Sequence, residues 1–169
     1  MQLETSDLIL KKAQYSDWQA MYRNVWSRPE TAKYMLWRVT TSEEDAKVRI
    51  QKTIRYQKDH DTWVVYEKMS GQAIGFAGVE EIRPQIYEDT GIALGPAYVG
   101  RGYGKQILRR LLEYCRLLGG REFYYSTRVK NQASRALALS CGFVLKGTEQ
   151  KTDWRSGEGY ELEVYCKEL

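Results

Sequence analysis

Val99-Gly100-Arg101-Gly102-Tyr103-Gly104-Lys105 lies between an apolar run that ends at Leu94 and a helical pattern that starts near Ile107. Three alternate glycines let the backbone pass close to a ligand and turn successive N–H groups the same way. A helix that follows such a loop adds unpaired amides and the positive end of its dipole. Arg101 and Lys105 add charge, so the stretch suits a phosphate or pyrophosphate. The common phosphate loops fail by counting. A P-loop would need Gly at 99 and Ser or Thr at 106, where the chain has Val99 and Gln106. The pattern G-x-G-x-x-G fails from Gly100, where Lys105 falls last, and from Gly102, where Ile107 does. The competing reading is a structural glycine turn ahead of a helix.

Outward from the loop, Ile107, Leu108, Leu111, Leu112, Cys115 and Leu118 share one helical face, and Gly119-Gly120 stops that helix. Upstream, Trp63 to Tyr66 and Ala73 to Val79 form a hairpin about Ser70-Gly71, and Glu88 to Leu94 is a third strand. Downstream come a strand at Phe123 to Thr127, a short helix from Gln132 to Ser140 and a strand at Phe143 to Leu145. Tyr160, Leu162, Val164 and Cys166 then alternate with polar neighbours as a final strand. At the start, Leu8-Ile9-Leu10 reads as a strand. A helix capped at Ser16-Asp17 comes next, carrying Trp18, Met21, Tyr22, Val25 and Trp26 until Pro29 stops or redirects it. Ser42-Glu43-Glu44-Asp45 opens a second helix, to about Lys58. The order is that of an α/β protein with a mixed sheet and a strand-loop-helix at its centre. No linker or repeat interrupts it, so residues 1–169 read as a single domain.

Composition narrows the function classes. The chain has 169 residues, 43% apolar and 28% charged, enough to bury a core without metal or disulfide staples. Lys and Arg number 26 against 22 acids, a net charge of +4 that is spread rather than clustered. A nucleic-acid partner is therefore not expected, while a polyanionic small molecule is. No uncharged apolar stretch approaches the ~20 residues of a membrane span, and no secretory signal is visible. Three cysteines without CxxC spacing suggest free thiols and a cytoplasmic location. One histidine, His60, makes a His/Cys zinc site implausible, and no metal is expected.

The glycine loop, Asn131-Gln132-Ala133-Ser134, and Cys141-Gly142-Phe143 together resemble the GNAT family of acyl-CoA-dependent N-acetyltransferases. Val99 stands where that family usually has Arg or Gln, which resembles the branch acetylating ribosomal-protein N-termini, and Arg101 would replace the lost charge. Leu145-Lys146-Gly147, the closing Gly159-Tyr160-Glu161 and the opening Leu8 to Ala13 also resemble that branch, so the likeness spans nearly the whole chain. It implies a mostly antiparallel central sheet with a splayed parallel strand pair and flanking helices. It also implies acetyl-CoA as co-substrate and transfer of its acetyl group to a primary amine, on a protein N-terminus or a small molecule. The pantetheine would run along Ile92 to Leu94, the pyrophosphate would sit on the amides of Gly100, Arg101, Gly102, Tyr103, Gly104 and Lys105, and Asn131 would touch the pantetheine side. Ser134 matches the acid that protonates the departing thiolate, and Asp153 falls where the branch places its base. The tyrosine that serves as acid in most of the family would fall at Ala138. A homodimer is among the family's habits.

Each residue also has a plainer reading. Ser134 near a helix start could be a cap, Asp153 a solvated loop acid, and Asn131 a turn residue. Glu80 and Glu81 are rival bases, and Arg109 and Arg135 could reach a CoA phosphate. Trp18, Tyr22, Trp26, Tyr34 and Trp37 could line an acceptor pocket or fill core. The absent tyrosine keeps alive a non-catalytic acyl-CoA-binding regulatory module.

Overall fold

A computed structural model describes residues 1–169. Eight strands form one sheet in the order β1-β2-β3-β4-β5-β6-β8-β7. They are β1 (Leu3–Glu4), β2 (Leu8–Lys11), β3 (Thr62–Glu67), β4 (Ala73–Arg83), β5 (Ile86–Leu94), β6 (Glu122–Arg128), β7 (Val144–Thr152) and β8 (Gly159–Glu168). The helices are α1 (Trp18–Met21), α2 (Pro29–Ala32), α3 (Glu43–Tyr56), α4 (Tyr103–Leu117) and α5 (Gln132–Ser140). Leu111, Ile107 and Cys115 of α4 pack with Trp63, Ile74 and Phe123 in the larger core. Ala46 and Ile50 of α3 pack with Met21, Val25 and Val64 in a second.

All strand pairs are antiparallel except β5–β6. That parallel pair is short: Ile86, Tyr87 and Glu88 face Glu122, Phe123 and Tyr124, and the ladder then ends. The cause lies on the other side of β5. Against β4, Gly78 faces Gly91 but Val79 faces Asp89, so Thr90 is an extra residue and β5 bends at the bulge. Gly91 accommodates the bend at φ +118, where a side chain would be strained. Beyond it the two strands splay.

The strands and helices expected from the sequence form, but β1 was not expected, the first helical segment is capped at Gln14 rather than Ser16-Asp17, and three further elements differ. The first helix is broken into a 3₁₀ turn (Tyr15–Asp17), α1 and a π turn (Tyr22–Trp26). Pro29 starts α2 rather than only stopping a helix, because its missing N–H is not needed in the first turn. β7 runs on to Thr152 with every residue exposed, so no alternation of apolar residues marked it. α3 is capped as expected, Ser42 Oγ accepting from the Asp45 amide at 3.1 Å.

Candidate active site

The wedge between β5 and β6 opens into a cleft of about 370 Å³. Ile92 and Leu94 form one wall, Asn131 and Ser134 of α5 the other, and the glycine loop closes the end. Gly100 and Gly102 hold φ +75 and +78, and a Cβ on either would meet nothing within 4 Å. Left-handed backbone therefore accounts for these glycines, and the space before them is free. The first bond of α4 runs from the Gln106 amide to the Gly102 carbonyl at 3.2 Å. The amides of Tyr103, Gly104 and Lys105 precede it and are left for a ligand. Lys105 borders the cleft as well. This donor set and open cradle fit a diphosphate.

Two loop side chains turn away. Arg101 Nη1 lies 3.1 Å from Glu67 Oε1, and the Tyr103 hydroxyl donates to the same oxygen at 2.8 Å. Hydrogen bonds from Ser70 and Tyr103, with the Arg101 charge, hold the Glu67 carboxyl below its usual range. Tyr103 still borders the cleft, whereas Arg101, its charge engaged by Glu67, does not line it.

On α5 the cap is Asn131, whose Oδ1 accepts from the Ser134 amide at 3.2 Å. The Ser134 hydroxyl is free of capping and lies 2.7 Å from the hydroxyl of Tyr125 on β6. Burial and the nearby Asp89 push the Tyr125 phenol far up, so it stays protonated and shares a hydrogen bond with Ser134. Ala138 is fully buried and does not line the cleft. Tyr125 puts a phenol there from the sheet instead.

Asp89 was not singled out from the sequence. It lies on the β5 bulge and lines, with Tyr125, Ser134 and Met35, a smaller cavity of about 210 Å³ that continues the cleft. Burial pushes its carboxyl up to about 7, against the pull of the Ser126 and Gly91 backbone amides, which favour the carboxylate. It is half-buried, so a ligand in this cavity can reach it. The signal in the sequence was a pair of acids, Glu88-Asp89, inside an otherwise apolar strand.

Asp153 lies elsewhere. It is 4% exposed and clamped, with Arg155 Nη2 at 2.7 Å and Nε at 3.0 Å, and Arg128 Nη2 at 2.8 Å. Hydrogen bonds from these arginines, Arg155 first, drive its carboxyl far below the usual range, which removes the basicity a proton acceptor needs. Arg155 Nη1 in turn donates to the carbonyls of Ala32 and Trp37, both at 3.0 Å. Asp153 therefore anchors a pin between the β7–β8 turn and the stretch from Ala32 to Trp37, an arrangement that speaks against the expected role as base. Glu80 and Glu81 are exposed on β4, Glu81 accepting from the Gln85 amide, and neither lines the cleft. Arg135 is held by Glu163 at 2.7 Å.

Among proteins of known sequence, N-alpha-acetyltransferase RimI of Mycobacterium tuberculosis (strain ATCC 25618 / H37Rv) is 36% identical over 87 residues, which cover 50% of this chain and 53% of that protein. The match thus spans about half of that relative's length. Among solved structures, a GNAT-family acetyltransferase from Bacillus anthracis superposes with a TM-score of 0.85 at 19% identity, covering 99% of this chain and 98% of that one. The microcin C7 self-immunity acetyltransferase MccE, in complex with acetyl-CoA and AMP, gives 0.84 at 20% identity, covering 98% and 94%. These two likenesses show the fold. The acetyltransferase (GNAT) domain family matches residues 7–144, and with a splayed strand pair, glycine cradle and capped α5 in place, the chain belongs to that family.

Proposed function

We propose that the protein transfers an acetyl group directly from acetyl-CoA to a primary amine, on a protein N-terminus or a small molecule. One observation carries the reading: the Tyr125–Ser134 hydroxyl pair and the Asp89 carboxyl line a single cavity where β5 and β6 part. The thioester supplies a carbonyl open to attack. Asp89, near half ionised at neutral pH, takes a proton from the incoming ammonium, so that the amine attacks as a neutral nucleophile. Backbone amides on the free edge of β5 near Leu94 steady the developing oxyanion. As the new C–N bond forms and the C–S bond breaks, the nitrogen releases its second proton to water, and Ser134 gives the departing thiolate a proton that water restores through the Tyr125 hydroxyl. The diphosphate rests on the amides of Tyr103, Gly104 and Lys105. The name of the mycobacterial relative supports an α-amino acceptor, and the acetyl-CoA complex of MccE supports the donor. All three cysteines are free, which supports a reducing cytoplasm. No helix is long and apolar enough to cross a membrane.

The test is calorimetry with acetyl-CoA, followed by thiol release over a panel of peptide N-termini and small amines. Ser134→Ala should lower turnover by ~10–100-fold while acetyl-CoA affinity holds, because a bond to the thiolate forms only in the chemical step. Tight binding with no thiol release on any amine would favour a regulatory acyl-CoA-binding module.

A further inference from the structure

A second cavity, of about 340 Å³, lies between α3 and strands β3 to β5. None of its lining residues borders the Ser134 cleft or its Asp89 extension. Trp26, Trp37, Phe76 and Met21 give it flat apolar walls. Arg49 of α3 is stacked between two of them, 4.7 Å from the Trp26 ring and 4.5 Å from the Trp37 ring. A guanidinium has five N–H donors, and one of these reaches Thr40 Oγ1, at 3.0 Å. No carboxylate is paired with it. Burial alone pulls its pKa down to about 10, the mark of a charge that lacks a counter-ion.

Two further groups able to donate line the same cavity without partners. Trp37 Nε1 and Thr62 Oγ1 are buried without any hydrogen-bond partner, and both residues line this cavity. Native proteins rarely leave buried donors unpaired, because each loses its water for nothing in return. Stacking on tryptophan explains why Arg49 is tolerated, but it does not explain these two. Lys52 at the rim adds positive charge, and no acid lines the cavity. A half-buried cation without a counter-ion, with two unpaired groups able to donate and aromatic walls, is the complement of one carboxylate on an apolar body.

We propose that this cavity binds a small monocarboxylate with a flat apolar body, its carboxylate held by Arg49, Trp37 Nε1 and Thr62 Oγ1. A dianion such as a phosphate monoester is disfavoured, since the second cation, Lys52, is exposed at the rim. The ligand differs from the acetyl acceptor, whose amine must reach Asp89 in the other cavity.

The test uses phenylacetate, 3-phenylpropanoate and indole-3-acetate against their neutral amides, by calorimetry on the full chain without acetyl-CoA. At least one acid should bind about tenfold tighter than its amide. Arg49→Gln should abolish that preference, with acetyl-CoA affinity unchanged as the check that the fold persists. Thr62→Val keeps the volume and removes one donor, so it should reduce the preference while the fold is retained. Equal affinity for acids and amides, no binding of any acid at ~10 mM, or a preference that survives both substitutions would each overturn the proposal.

Discussion

Asp89 carries the sharpest test at the scale of single residues. Its carboxyl is pushed up to about 7 by burial, so the ionised form that accepts a proton grows in as pH rises through that value. Turnover should climb with it, and Asp89→Asn should remove that limb and lower kcat/KM by about 100-fold at pH 8. Stability should move the other way. A carboxyl with a raised folded pKa contributes its full stability below about 4, near its unfolded pKa, and loses it as pH rises through about 7. Asp89→Asn should therefore melt higher than the wild type at pH 8, which a thermal scan reads; a lower melting temperature would mean that the carboxylate is held by partners and is no free base. Ser134 was singled out because Asn131-Gln132-Ala133-Ser134 resembles a motif of the family, and the residues alone left a helix cap as the alternative. Asp89 was not, because one bulged residue, Thr90, flips the facing of the strand on either side of it, and a period-two count assumes no such step.

At the scale of elements, the loop and α4 act as one unit. Gly104 does not have the positive φ of Gly100 and Gly102, and a Cβ there would stand 3.4 Å from Leu137 Cδ2. A larger side chain would therefore narrow the cradle without straining the backbone. Gly104→Val should weaken acetyl-CoA binding by tenfold or more, about 1.4 kcal/mol, while the melting temperature changes little. Normal affinity in a folded variant would remove the diphosphate from this loop. This element was the most legible, because glycine spacing and the Ile107, Leu111, Cys115 stripe are local signals. The segment from Tyr15 to Trp37 was the least. Its turns are set by contacts with α3 and with Arg155, more than a hundred residues away, and nothing local in Tyr22 to Trp26 announces a π turn.

The Asp153–Arg155 pin belongs to the whole molecule, since it ties the β7–β8 turn to the carbonyls of Ala32 and Trp37. Arg155, then Arg128, depress the Asp153 carboxyl, so its contribution is complete above the unfolded value near 4 and is lost as pH falls below it. Asp153→Asn should lower the melting temperature at pH 7 and make the acid-unfolding curve less steep below pH ~4, and it should leave the pH midpoint of turnover unmoved. A shifted turnover midpoint would return Asp153 to the role of base. The pin was invisible in the sequence because its partners are backbone oxygens, which every residue has. Strand order has a further consequence, for a chain that leaves the ribosome from its first residue onward. β8 sits between β6 and β7, yet it is made after both. Until it emerges, β7 has no neighbour to pair with, β6 is a bare edge, and the wall behind Tyr125 is missing. The sheet therefore closes only when the ten residues of β8 slot between β6 and β7.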